Sequence, residues 1–119
     1  MPNQPGPPPA VAPEDLGRFF VERANAGDVE GLVALYEADA VLRFPNGRIT
    51  RGRDAIRRVY AELLQDRPHF DPGRQQEPLV NGDLALTSTI TPVGTTAEVA
   101  RRQPDGTWRW AVDNPRLAP

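Results

Sequence analysis

Apolar residues recur at helical spacing in three stretches of the first half of the chain. The first begins at Pro13 or Glu14 and ends at Asn25, because proline suits a first helical position and acidic residues favour the positive end of a helix. A second helix follows a capping aspartate, and a third covers residues 53–64. The apolar face of the second helix is predicted to hold Val29, Leu32, Val33, Leu35 and Tyr36.

Alternating apolar and polar residues predict strands in the rest of the chain. A strand over Val41–Phe44 turns at Asn46-Gly47, whose residues tolerate positive φ, and returns through Ile49-Thr50. The order of two helices, a hairpin, one helix and a run of strands is typical of a small α+β domain with a largely antiparallel sheet. Further strands are expected near 75–80, 84–91, 95–102 and 107–113.

Proline and charge divide the chain into a tail and one domain. Residues 1–13 hold six prolines and no charged side chain, so we expect a disordered tail that neither forms a helix nor pairs with a strand. The folded domain is predicted over 14–114, with a short tail at 115–119.

Composition excludes several kinds of chemistry. The 119 residues carry a net charge of −2, one histidine, no cysteine and no lysine, so a transition-metal site, a thiol nucleophile and a Schiff base are not expected. No glycine-rich phosphate loop, membrane-length apolar run or signal peptide is seen. We therefore expect a cytoplasmic protein without a cofactor, a metal, a nucleic-acid partner or a membrane partner.

Four stretches of the sequence resemble the NTF2-like superfamily, and within it the SnoaL-like and ketosteroid-isomerase-like proteins. They are NAGDVEGLVALYEADAVLRFP (25–45), GRDAIRRVYAELL (52–64), NGDLALTST (81–89) and RRQPDGTWRW (101–110). The resemblance implies an NTF2-like (cystatin-like) cone, in which a curved mixed sheet wraps over three helices around an apolar cavity. It also implies a homodimer formed through the outer face of the sheet. The fold hosts isomerases, cyclases, hydrolases, dehydratases and binding domains, so it does not decide the activity.

The same resemblance assigns roles to individual positions. The isomerase members use an aspartate base and an oxyanion hole of a tyrosine and a protonated aspartate. Phe44 and Phe20 stand here where the base and the oxyanion tyrosine would be. The supporting tyrosines correspond to Tyr36 and Tyr60, and the protonated acid to Glu98.

Two carboxylates are the candidate proton carriers. Glu98 could face the cavity with a raised pKa, but strand alternation places it opposite Ala97 and Val99 and so favours solvent. Asp113, which is predicted to end the last strand opposite both tryptophans, could be a general base or could pair with a surface arginine. Tyr36 and Tyr60 would supply hydrogen bonds.

A ring of mostly aromatic residues is predicted to line the ligand site. Such a lining suits a flat, apolar organic molecule. His69 lies in a proline-rich loop and is either a proton shuttle or merely exposed. The predicted ligand-binding residues are Phe20, Phe44, Phe70, His69, Ser88 and Trp110.

Two functions of different kinds remain open from the sequence. The first is a cofactor-free isomerase, cyclase or hydratase that acts on a polyketide- or steroid-like compound, with Glu98 and Asp113 as proton carriers. The second is a non-catalytic ligand-binding or dimerisation module, which is favoured by the phenylalanines at positions 20 and 44.

Overall fold

The computed structural model describes residues 7–44 and 47–117 of the chain, and the side chains up to residue 115. The helices are α1 (Pro13–Asn25), α2 (Val29–Val33) and α3 (Arg53–Leu63), and a 3-10 turn follows at Leu64–Asp66. The strands are β1 (Tyr36–Arg43), β2 (Ile49–Arg51), β3 (Arg74–Gln75), β4 (Leu79–Asn81), β5 (Leu84–Thr87), β6 (Thr89–Thr91), β7 (Gly94–Arg102) and β8 (Trp108–Leu117). None of the described helices is long and apolar enough to cross a membrane.

The helix ends follow from local chemistry. The Asp15 carboxylate accepts the backbone N–H groups of Val11 and Ala12, each at 3.1 Å, and so satisfies donors before the first turn of α1. Asp28 caps α2 by accepting from the Gly31 N–H at 2.9 Å. Both predicted starting points are confirmed.

The second helix is shorter than predicted, because Tyr36 belongs to the sheet. It begins β1 and pairs with Trp110 in β8. The guanidinium of Arg53 donates to the Tyr36 carbonyl through Nε at 2.9 Å and Nη2 at 2.7 Å. The apolar spacing that assigned Tyr36 to a helical face was misleading, because a buried strand residue fits the same spacing.

The strands form a single mixed sheet. Its order is β2-β1-β8-β7-β5-β4; β6 pairs with β7, and β3 pairs with β6. Only the β1–β8 pair is parallel among the described pairings. The β1–β2 hairpin is confirmed by the pairing of Arg43 with Ile49, although Asn46 of its predicted turn lies outside the described residues. An α+β fold with a mixed sheet is therefore confirmed.

Both predicted tails contribute backbone pairing to the sheet. Ala10 is buried and accepts from the Trp108 N–H at 2.8 Å, and the Arg23 guanidinium donates to the Pro8 carbonyl. At the other end β8 runs on to Leu117, which pairs with Thr95. The expectation that nothing in 1–13 pairs is wrong at Ala10, because proline removes donors but leaves carbonyl acceptors and the neighbouring alanine free to pair.

The core lies between the helices and one face of the sheet. The sheet contributes Tyr36, Ala40, Leu42, Ala85, Ala100, Trp108 and Trp110 to it, and the helices contribute Leu16, Ala24, Leu32, Ile56 and Tyr60. This inner face also carries four buried polar side chains, Thr50, Thr87, Glu98 and Asp113, and the last three come from the neighbouring strands β5, β7 and β8.

Candidate functional site

Two buried carboxyl groups face one another on neighbouring strands. Glu98 of β7 and Asp113 of β8 are direct partners in the antiparallel register. Their exposed fractions are 6% and 5%, although Asp and Glu are rarely buried to this extent. Such a pair is costly unless it is protonated or hydrogen-bonded, which makes it the first place to look for function.

A bulge in β8 turns Asp113 inward. Val99 pairs with Val112 and the next residue, Ala100, pairs with Trp110, so Ala111 is an extra residue in β8. The bulge reverses the alternation, so that Val112 is 48% exposed while Asp113 is buried on the face of Trp110. The predicted placement of Asp113, at a strand end and opposite the tryptophans, is therefore wrong.

Glu98 also faces inward, so the solvent-facing interpretation is wrong. The alternation itself was right, because Glu98 and Ala100 share a face. The prediction of which face of β7 is buried failed because Val99, on the other face, belongs to an outer surface that is itself apolar.

A chain of hydroxyl groups ends on Asp113. The Tyr36 hydroxyl donates to Asp113 Oδ2 at 2.6 Å and lies 2.8 Å from the Tyr60 hydroxyl. Since Tyr36 has one proton and gives it to the carboxyl group, Tyr60 must donate to Tyr36. The other oxygen, Asp113 Oδ1, is buried and has no hydrogen-bond partner among the described residues.

A second chain ends on Glu98. The indole Nε1 of Trp110 donates to Thr87 Oγ1 at 3.2 Å, and Thr87 Oγ1 donates to Glu98 Oε1 at 2.6 Å. Thr87 is buried and lies directly opposite Glu98 in the β5–β7 register. Asp113 is thus held by the Tyr36 hydroxyl, and Glu98 by the Thr87 hydroxyl, which is itself fixed by Trp110.

Burial makes both carboxyl groups hold protons more tightly. The pKa of Asp113 is raised to about 8, first by burial and then by the charge of Glu98, although the Tyr36 hydrogen bond opposes the shift. Burial also raises the pKa of Glu98, and hydrogen bonds with the side chains of Thr87 and then Thr96 act against the rise. Burial and the charge of Asp113 raise the pKa values of Tyr36 and Tyr60, so both phenols stay neutral. At neutral pH the Asp113 carboxyl group therefore carries a proton.

A family model described as a SnoaL-like domain matches residues 17–118. The chain belongs to the SnoaL-like domain family. The epoxide hydrolase LasB of Streptomyces lasalocidi is 29% identical over 85 residues. That match covers 71% of this chain but only 30% of LasB, so the SnoaL-like chain spans about a third of its curated relative.

Solved structures confirm the fold. A candidate dehydratase of the NTF2-like family from Streptomyces avermitilis has a TM-score of 0.66 and 21% identity, covering 88% of this chain and 94% of that one. A candidate calcium/calmodulin-dependent protein kinase type II association domain from Thiobacillus denitrificans has a TM-score of 0.69 and 19% identity, covering 93% and 100%. At these identities the likeness shows the fold alone, and that fold is the predicted NTF2-like one.

Aromatic residues of the SnoaL-like chain pack against Tyr60 and Trp110, the first members of the two hydrogen-bonded chains. The ring of Phe20 lies 6.1 Å from Tyr60, 6.2 Å from Trp110 and 5.8 Å from Phe70, and Phe44 packs 5.8 Å from Tyr60. Phe20 and Phe70 are half-buried, so they lie between the inner site and solvent. Four of the six predicted ligand-binding residues, all aromatic, are thus brought together, and their role in binding stays a prediction.

The polar side chains of His69 and Ser88 interact with residues outside this aromatic group. The side chain of His69 is 75% exposed and pairs with Asp71 at 3.2 Å. Ser88 Oγ donates to the Thr96 carbonyl at 2.7 Å. Sequence reasoning missed Thr87, because alternation along β5 favours Leu84 and Leu86 as the buried face, whereas the structure buries Ala85 and Thr87.

No cluster of three or more side chains able to hold a metal ion is found among residues 7–44 and 47–117. The two carboxyl groups are surrounded by hydroxyl donors instead. Hydroxyl donors stabilise a carboxylate in the absence of a cation.

Proposed function

We propose that this SnoaL-like domain catalyses proton transfer on an apolar small molecule of polyketide- or steroid-like skeleton, without a cofactor. The reaction would be an isomerisation, cyclisation or hydration. One observation carries the proposal: a buried carboxyl group, Asp113, is fixed through Oδ2, while its Oδ1 has no hydrogen-bond partner in the described part of the chain. A protonated acid with one open oxygen in a dry site is suited to donate to a substrate oxygen.

Asp113 would act as the acid. Because its pKa is raised to about 8, the group is protonated at pH 7. Tyr36 occupies Oδ2, so the proton resides on Oδ1 and is available to a carbonyl, epoxide or hydroxyl oxygen. A hydrogen bond from a neutral acid costs less to desolvate than one from a charged group.

Glu98 would act as the base. It faces the same side of the sheet as Asp113 and keeps one carboxylate oxygen free of the Thr87 bond. While Asp113 gives a proton to the substrate oxygen, Glu98 removes one from a neighbouring carbon or hydroxyl group. In a cyclisation or hydration the proton then passes from Glu98 to Asp113. In an isomerisation Glu98 instead gives its proton to another carbon of the enol while Asp113 takes back the proton on oxygen, so each route restores the starting state.

The relatives support reactions of this kind. An epoxide hydrolase and a dehydratase both act at a carbon that bears oxygen, where an acid assists the bond to oxygen. The aromatic group of Phe20, Phe44, Phe70 and Trp110 fits a flat apolar substrate. The apolar cavity itself remains a prediction.

Turnover tests the proposal. Apolar epoxides and β,γ-unsaturated ketones serve as substrates, and displacement of an anilinonaphthalene sulfonate dye by substituted phenols reports binding. With any substrate that reacts, Asp113→Asn should lower kcat/KM by about 10²-fold or more, because it removes the acid and keeps the shape. Glu98→Gln should abolish turnover but leave phenol binding. The exposed Asp66→Asn is the matched control. Full activity in both site variants would refute the proposal.

A non-catalytic binding module is the second candidate. It is favoured by Phe20 and Phe44, which supply no hydroxyl or carboxylate where the isomerase members have them. The candidate association domain from Thiobacillus denitrificans shows that the fold also occurs in proteins named for assembly. Phenol binding without turnover of any substrate in the panel would favour this alternative.

We also propose a homodimer through the outer face of the sheet. The register aligns Leu79, Leu86, Val99 and Val112 in one row across four neighbouring strands. Leu79, Leu86 and Val112 are 69%, 45% and 48% exposed. A continuous apolar row of this kind is typical of a protein interface, and a second copy would present the same row.

A further inference from the structure

Thr87 is the residue that links the aromatic cluster to the Glu98 carboxyl group. It ends β5, is 2% exposed, and lies opposite Glu98 in the sheet. Thr87 lies in one of the stretches that carry the family resemblance (81–89), but the resemblance assigns no role to it. Its hydroxyl is one of the few polar groups on the inner face, and both of its bonds go to residues of the candidate site.

The direction of the Thr87 bonds follows from the chemistry of its partners. An indole N–H is only a donor, so Thr87 Oγ1 must accept from Trp110 Nε1 at 3.2 Å. The single hydroxyl proton then points to Glu98 Oε1 at 2.6 Å. Glu98 Oε1 is therefore held as an acceptor and cannot carry the proton itself.

The opposite side of the pair is arranged differently. Asp113 accepts a hydrogen bond from Tyr36 at Oδ2, but its Oδ1 has no hydrogen-bond partner among the residues that the structure describes. Asp113 is also the more deeply buried of the two carboxyl groups. The titratable groups near Glu98 are Asp113 from β8 and Tyr60 from α3, and Tyr36 adjoins Asp113. Both tyrosines are neutral donors, so burial is the main factor against the charged form of Glu98, and the side chains of Thr87 first and Thr96 second stabilise that form.

Resting on the proposed function, we infer that Thr87 is a positioning residue that keeps Glu98 the base and Asp113 the acid of the pair. Through the fixed chain from Trp110, its hydroxyl proton stabilises the carboxylate form of Glu98. The proton that the pair retains is then carried by Asp113, at the oxygen that faces away from Tyr36. Without the Thr87 hydroxyl, Glu98 would compete for that proton.

The test is the titration of Glu98 in Thr87→Val, which keeps the side-chain shape and removes the hydroxyl. Protein labelled with carbon-13 at the glutamate carboxyl carbon is titrated by NMR, and Glu98→Gln assigns the signal. We expect the midpoint of Glu98 to rise by about one pH unit or more, because a hydrogen bond to a charged group is lost. Thr87→Ser keeps the hydroxyl and should restore the wild-type midpoint.

The kinetic readout separates positioning from mere structure. With any substrate that reacts, the acidic limb of the pH profile of kcat/KM should move to higher pH in Thr87→Val, together with the Glu98 midpoint. The value of kcat should fall by a larger factor than KM rises. Thr87→Ser should recover both. Trp110→Phe removes the donor that fixes Thr87, and it should shift the Glu98 midpoint in the same direction by a smaller amount, which provides a second variant if Thr87→Val does not fold.

Two outcomes would overturn the inference. One is an unchanged Glu98 midpoint in a folded Thr87→Val, or in Trp110→Phe if only that variant folds. The other is a Thr87→Ser protein that is as perturbed as Thr87→Val. A Glu98 shift in a protein that turns over no substrate would support the role of Thr87 and refute the proposed catalysis, so the two failures are distinguishable.

Discussion

Replacing Asp113 with asparagine should make the protein more stable at alkaline pH. Asparagine has the shape of a protonated aspartate, and its carbonyl oxygen can accept the Tyr36 hydroxyl that now bonds Oδ2 at 2.6 Å. Its amide takes the place of Oδ1, which has no partner among the described residues. The substitution therefore removes a titration while it keeps the packing of the buried site.

The sign of the effect follows from proton binding. The pKa of Asp113 is raised from 3.8 to about 8 in the folded protein, chiefly by burial. Between those values the folded state holds a proton that the unfolded chain has lost, so stability falls as the pH rises. Each pH unit lowers the free energy of unfolding by about 1.4 kcal/mol, so the rise from pH 5 to pH 8, about three units, lowers it by at most about 4 kcal/mol. The figure is an upper limit, because water that reaches a buried carboxylate lowers the cost of its charge.

Urea unfolding at half-unit steps from pH 5 to pH 9 measures the effect. The difference in unfolding free energy between Asp113→Asn and wild type should shift in favour of the variant by up to about 4 kcal/mol from pH 5 to pH 8 and should level off above pH 8. Taking the difference cancels the contribution of every group that the substitution leaves unchanged. Asp66→Asn, at an exposed position, should follow wild type throughout. A difference that does not vary with pH would refute the conclusion that buried Asp113 is protonated.

Two further predictions concern the rim of the site and the outer face. Asn25 holds the loop after α3 by donating to the Phe70 carbonyl at 3.0 Å and accepting from its N–H at 2.8 Å. Asn25→Ala should therefore raise the dissociation rate of a bound phenol in stopped-flow displacement, and an unchanged rate would show that Phe70 does not limit release. Leu86→Glu on the outer face should convert a dimer to a monomer in sedimentation velocity, since it puts a charge in the apolar row. Val11→Glu, at a residue 72% exposed outside that row, should not, and a monomeric wild type would refute the proposed homodimer.

The fold was predictable because helical spacing, capping residues and turn residues agree along most of the chain. The α1 start at Pro13 and the cap at Asp28 are local signals that the structure preserves. Tyr36 was misassigned because position in a buried strand depends on pairing with a distant strand, and local spacing does not report such pairing. The aromatic residues that pack together in the site were predicted from their spacing and from the resemblance.

The orientation of the two carboxyl groups was not predictable, and the reasons differ. Alternation around Glu98 was read correctly, but it cannot say which face is buried when Val99 on the other face belongs to an apolar row. For Asp113 the alternation itself is interrupted, because the extra residue Ala111 reverses every side chain beyond it. A bulge is defined by the pairing of two strands and leaves no clear mark in either one. The same irregularity that hid Asp113 from the sequence is what brings it beside Glu98, since an unbroken β8 would turn this carboxyl group outward.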